Sequence, residues 1–203
     1  MTANLLRWIL LSGFLSCYGC FGPGAVSSYY TLNPPNLEAS PAESDGASRL
    51  VIGLGPLSLP DYLDRPNIVT RTGPNRLEVN DGRRWAGTLQ SEVLRALAAN
   101  LEAMTGAEQV ILFPWDVDVE PDLRFRIRIQ TFEGKLGDRV RLQADWSMAP
   151  GDPDQPVVRR IAQIEEGVRG DDYEALTMAM GRALTLLSRQ MAEAVSMAAT
   201  VHQ

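Results

Sequence analysis

The chain has 203 residues, 45% of them hydrophobic and 22% charged, with a formal net charge of −6. This is a globular composition, and its acidic balance argues against nucleic acid as a partner. One histidine and two cysteines leave no material for a His-based metal centre or a Cys–His nucleophile, and that histidine, His202, is next to last. The chain opens with Arg7, an apolar run from Trp8 to Leu15, and then Ser16-Cys17-Tyr18-Gly19-Cys20. The run is far shorter than the roughly 20 residues that span a bilayer as a helix, so it reads as a secretory signal. A cysteine just after such a run, with a small residue before it, is the pattern of a bacterial lipoprotein signal. Gly19 suits the cleavage position, which favours Cys20 as the lipidated first residue of the mature chain. Cys17, preceded by Ser16 and Leu15 but with the bulky Phe14 at −3, is the alternative. The predicted organisation is therefore a signal peptide over 1–19, a lipidated cysteine and tether over 20–28, and one domain over 29–203. The C-x-x-C spacing of the two cysteines is no redox site, because cleavage or acylation removes the pair.

Tyr29 to Leu32 reads as a short strand closed by Pro34-Pro35, and 33–48 as a mobile, Pro- and Ser-rich loop. Leu50 to Leu59 predicts a strand with a bulge or close approach at Gly53 or Gly55. The stretch from Leu59 to Val79, LPDYLDRPNIVTRTGPNRLEV, reads as strand end, turn, strand, turn, strand. Pro60 and Pro66 bracket the first turn, Ile68, Val69 and Thr70 suit a strand, and Gly73-Pro74-Asn75 makes the second turn. Asp61 and Asp64 lie in that first turn, where aspartate serves the turn rather than catalysis. Trp85, Leu89, Val93, Leu97, Leu101 and Met104 recur at helical spacing, predicting a helix over 84–104 that ends at Gly106.

Gln109 to Trp115 predicts a buried or edge strand. The acidic residues Asp116, Asp118, Glu120 and Asp122 follow, but the intervening Val117, Val119 and Pro121 favour an extended edge over a calcium loop. Leu123 to Gln130 alternates strictly, with Leu123, Phe125, Ile127 and Ile129 on one face and Arg124, Arg126 and Arg128 on the other. Arg139 to Met148 repeats the pattern, so the two segments form an antiparallel hairpin. Its polar face gathers Arg124, Arg126, Arg128, Arg139 and Arg141, a candidate docking strip for an acidic partner or phosphate headgroups. The competing reading is a solvated face paired with acidic neighbours. Val157 to Gly167 is a further strand. A final helix is predicted with Asp171 as N-cap and an apolar stripe from Tyr173 through Leu184 to Val195. The fold class is α+β, a two-layer sandwich with a mostly antiparallel sheet and two amphipathic helices on one face. Nothing in this inventory assembles an enzyme site, a metal site or a cofactor site.

Three blocks carry a resemblance: Tyr29-Tyr30-Thr31-Leu32, the run from Pro60 to Arg71 of the form P-x-Y-L-D-R-x-x-I-V-x-R, and Arg84-Trp85-Ala86. Together they resemble the PqiC (YmbA)-like ABC-type transport auxiliary lipoprotein family. The resemblance implies a fold related to the N-terminal domain of the TolB type. It also implies a lipid-anchored protein on the periplasmic face of the outer membrane. Its implied role is that of a non-catalytic, homo-oligomeric docking component for a periplasm-spanning PqiB-like protein of the mammalian-cell-entry (MCE) type, in intermembrane lipid transport. No cofactor is implied beyond the covalent lipid. The alternative is a periplasmic carrier that holds an acyl chain between helices and sheet.

Overall fold

The computed structural model describes residues 26–32, 50–116, 118–152 and 154–200, apart from the side chains of 199 and 200. Cys17, Cys20, the loop over 33–48 and His202 lie outside the described residues. The elements in order are β1 (Ser28–Tyr30), β2 (Val51–Ser58), β3 (Asn67–Gly73), β4 (Arg76–Trp85), α1 (Leu89–Thr105), β5 (Gln109–Leu112), β6 (Leu123–Gly134), β7 (Arg139–Pro150), β8 (Val158–Gly167) and α2 (Tyr173–Thr200).

All eight strands join one mixed sheet. Its longest ladders are antiparallel, β6 with β7 and β7 with β8, as the alternating sequences require. On the other side β2 lies parallel to both β6 and β5, so the sheet is less antiparallel than the sequence reading expected. The parallel pairing has a topological cause: β3, β4 and α1 intervene between β2 and β5, long enough to carry the chain back to the same end. The β3–β4 hairpin attaches to the far end of β6 through Thr70 and Gly134, and β1 runs parallel along β4.

The inward face of β6 and β7 is apolar throughout. Phe125, Ile127, Ile129, Leu142, Ala144 and Met148 are all buried, as the period-two pattern predicts. Both helices cover this one face, α1 over β2 and β5 and α2 over β6, β7 and β8. At the helix–helix contact, Asn100 of α1 is buried and its Nδ2 donates to Ser188 Oγ of α2 at 3.2 Å. Burying a side chain such as Leu187 in this layer contributes about 1.5–3 kcal/mol, which makes the two-layer contact the main source of stability.

Two helix starts differ from expectation. Arg84 and Trp85 belong to β4, and α1 begins only at Leu89, because Thr88 accepts a hydrogen bond from Ser91 N at 3.1 Å and caps the helix there. Trp85 matched the helical stripe by spacing alone, and its place is fixed by ladder partners on β1 and β3. For α2 the capping side chain is Asp172, which accepts from Ala175 N at 2.8 Å, one residue later than predicted. The C-terminus of α1 follows the prediction, with Gly106 in the left-handed region.

Glycine is required where β6 meets β3 and α2. A Cβ on Gly134 would stand 2.6 Å from Leu176 Cδ1, 2.9 Å from Val140 Cγ2 and 3.0 Å from the Arg139 carbonyl oxygen. Gly134→Ala is expected to lower stability by about 1–3 kcal/mol through overpacking. Urea unfolding measures this, and an unchanged midpoint would mean that the junction is looser than its geometry.

Candidate docking face

The sheet face opposite the helices carries the outward residues of β6, β7 and β8. Register places Arg126, Ser147 and Arg159 in one cross-strand row, and Arg128, Asp145 and Ile161 in the next. These residues, with Pro56 and Ser58 from the neighbouring β2, line an open concavity of about 830 Å3. Asp145 accepts a hydrogen bond from Gln130 Nε2 at 2.7 Å. Arg126, Arg128 and Arg159 have no hydrogen-bond or ion-pair partner among the described residues.

The five arginines of the predicted strip therefore divide. Arg139 and Arg141 both reach Glu165 of β8 at 2.9 Å, and Arg139 also reaches Asp138 at 3.1 Å. Arg124 turns toward the Pro150 and Gly151 carbonyls, each at 3.4 Å. Arg126 and Arg128 alone keep the unpaired character that docking needs. Sequence reasoning missed Arg159 and Ile161. The same alternation rule finds them once β8 is paired with β7, since Arg159, Ile161, Gln163 and Glu165 all occupy outward positions.

The hydrogen bond from Arg139, then that from Arg141, holds the Glu165 carboxyl below its ordinary range. A depressed carboxylate stabilises the fold above its unfolded-state pKa, and the contribution disappears as pH falls through the folded value. An NMR titration is expected to place the Glu165 midpoint below that of an exposed glutamate. Arg139→Ala should move that midpoint up, and no movement would show that the pair is not formed in solution.

A second cluster explains the signature segment. Arg71 of β3 pairs with Glu133 of β6, whose residue is only 2% exposed. Arg71 also donates to the Pro74 carbonyl at 2.8 Å. Burial, and then a hydrogen bond with Glu133, push the Tyr62 phenol well above its usual range, so it stays protonated. Arg71 thus pairs with a buried carboxylate that also raises the nearby Tyr62 phenol, beside the proline-bracketed turn. Asp61 and Asp64 stay in that turn, where the Asp64 amide donates to the Asp61 carbonyl at 3.2 Å.

Near the start of the described chain, Leu32 N donates to Glu92 Oε2 at 3.2 Å, and Ala86 N donates to the Tyr30 carbonyl at 2.8 Å. Arg83 reaches Ser28 Oγ at 2.8 Å and lies 5.5 Å from the Tyr173 ring centroid. In the acidic segment after β5, the Asp122 carboxylate accepts from Val51 N at 2.7 Å, a backbone cap rather than a ligand position. Trp115 and Pro121 close over Gly53, where an added Cβ would meet Pro121 Cγ at 2.8 Å. Among the described residues no three His, Cys, Asp or Glu side chains group as metal ligands, and no helix is long and apolar enough to cross a membrane.

The model of the family described as the ABC-type transport auxiliary lipoprotein component matches residues 30–192. The chain is 19% identical over 174 residues to the Escherichia coli intermembrane transport lipoprotein PqiC, covering 84% of this chain and 87% of that protein. Among solved structures, an uncharacterized protein superposes with a TM-score of 0.67 at 16% identity, over 84% of this chain and 99% of the other. A Xanthomonas campestris protein gives 0.57 at 18% identity, over 83% and 91%. At these identities the structural likeness speaks for the fold, and the α+β architecture is shared.

Proposed function

The chain belongs to the ABC-type transport auxiliary lipoprotein component family, and from that premise we propose that it is a non-catalytic docking component of an MCE-type intermembrane lipid-transport system. In this reading acyl chains on Cys20 hold it to the periplasmic face of the outer membrane. The folded domain, as a homo-oligomer, receives the tip of a PqiB-like partner. The observation that carries the docking role is the pair Arg126 and Arg128. In a chain of net charge −6, they stand unpaired on a sheet face that no helix covers. Unpaired charges on an open face raise association rates and select an oppositely charged partner.

The carrier alternative needs room for an acyl chain between helices and sheet. Leu97, Leu101, Leu184 and Leu187 are fully buried in that layer, which favours docking over storage there.

Cross-linking in native envelopes, with the intact lipoprotein as bait, tests the reading. Recovery of an MCE-domain protein is the expected result, and its absence would remove the partner class. Charge reversal of Arg126 and Arg128 to Glu is expected to leave the thermal midpoint nearly unchanged, because both side chains are exposed and unpaired. It should reduce partner recovery in a salt-sensitive way. Loss of folding instead would make these arginines structural and end the docking role of this face.

A further inference from the structure

We propose that the outer-face concavity is a phospholipid site, in which Arg126, Ser147 and Arg159 hold the phosphate and Pro56 and Ile161 take the apolar part of the molecule. The inference rests on the transport reading above and names the chemical class that this face handles.

The geometry begins with the cross-strand row. Neighbouring strands stand about 4.8 Å apart, so the Arg126 and Arg159 backbones flank Ser147 at a separation of about 10 Å. That spacing lets two long guanidinium side chains fold toward one anion above the Ser147 hydroxyl. Arg128 follows two residues along β6, about 7 Å away, on the same face. Four guanidinium groups line the concavity, since Arg160 joins Arg126, Arg128 and Arg159, and they repel each other. Each also presents a planar fork of donors that suits phosphate oxygens better than an ammonium would.

The lack of partners is specific to this place. Farther along the same face, Arg139 and Arg141 are paired with Glu165 and Asp138, so acidic residues were available to the fold where pairing served it. Inside the concavity the single carboxylate, Asp145, is engaged by Gln130. Four guanidinium groups against one carboxylate leave the concavity net positive, which attracts an anion.

Apolar groups decide the class of anion. Ile161 is 70% exposed at a position where a solvated sheet face calls for a polar side chain, and Pro56 on β2 is exposed at the opposite flank of the same concavity, across β6 and β7. Neither adds anything to the binding of inorganic phosphate. These residues line a hollow in which arginines and exposed apolar side chains occur together, which suits a small amphiphile. A phosphate carrying a hydrocarbon tail matches both halves.

The test uses the full-length lipoprotein in a non-ionic, phosphate-free detergent, with no partner present. It is titrated with dihexanoylphosphatidylglycerol below its micelle concentration and, separately, with inorganic phosphate. The expected result is saturable, salt-sensitive lipid binding, weakened about tenfold or more in Arg126→Gln/Arg159→Gln at an unchanged thermal midpoint. Ile161→Ser should weaken the lipid and leave inorganic phosphate unaffected. If the double variant fails to fold, Arg159→Lys decides, because it keeps the charge and loses the fork: weakened lipid binding supports the site and unchanged affinity overturns it. No lipid binding by the wild type overturns the proposal. Equal binding of lipid and inorganic phosphate, indifferent to Ile161→Ser, also overturns it in favour of a simple anion site. Because lipid binding is read on the protein alone and docking by envelope cross-linking, either reading can fail while the other stands.

Discussion

Cys20→Ala is expected to release the protein from the membrane fraction almost completely. Burying acyl chains stabilises membrane attachment by about 0.8 kcal/mol per CH2, and several chains on one cysteine would make the attachment stable. No helix among the described residues can substitute for them. Cys17→Ala should leave anchoring intact, since the proposed cleavage before Cys20 would remove that residue with the signal. With Cys20 as the proposed lipidated residue, Phe21 rather than Asp occupies the next position, so the usual inner-membrane retention signal is missing and outward sorting is expected. Intact mass spectrometry of the membrane-extracted protein checks the assignment. Acyl mass on a chain that starts at Cys17 would move the site, and an unmodified soluble chain would remove the anchor.

Glu133→Ala should produce the largest loss of stability among single substitutions at the signature cluster, about 3 kcal/mol. Removing one partner of a buried ion pair leaves the other charge poorly solvated, which costs about 3–5 kcal/mol when both are fully buried. The Arg71 side chain is 30% exposed and regains part of its hydration, which places the loss at the lower end. For a domain of this size the midpoint should fall by about 6–12 °C. Replacing both residues with leucine should cost less than removing Glu133 alone, because no charge is then stranded. Thermal and urea unfolding of the two variants and the wild type separate these cases. A double variant as unstable as the single one would show that packing rather than charge holds the turn.

The sheet was legible in the sequence wherever one face is buried. Alternation over Leu123–Gln130 and Arg139–Met148 follows from the two-residue period, and the buried row from Phe125 to Met148 obeys it. The proline-bracketed turn between β2 and β3 was legible because proline and β-branched residues act locally. The start of α1 was not. Trp85 satisfies a helical spacing, while its strand partners Tyr30 and the chain near Asn67 lie 55 and 18 residues away in sequence. Parallel pairing of β2 escaped for the same reason, since nothing local distinguishes a parallel neighbour from an antiparallel one. The arginine strip was visible as a row, but its division depended on Glu165, whose strand had to be placed in register before the charges could be matched. Glu133 gave no signal at all. It occupies an outward position of a strand, and only the turn carrying Tyr62 and the Arg71 side chain bury it.

The first strand has a mechanical consequence. β1 is three residues long, lies parallel to β4, and is followed at once by the Leu32 amide seated on Glu92. Any tension arriving through the N-terminal tether enters the domain here and loads the β1–β4 hydrogen bonds side by side rather than one after another. Beyond them stand the Tyr30–Ala86 bond and the Leu32–Glu92 clasp, and only then β2, held between β5 and β6. Yielding is thus confined to a sacrificial margin. With the proposed lipid anchor, a pull from the membrane meets these bonds together, and their release frees only the first strand while the helices and the arginine face keep their shape.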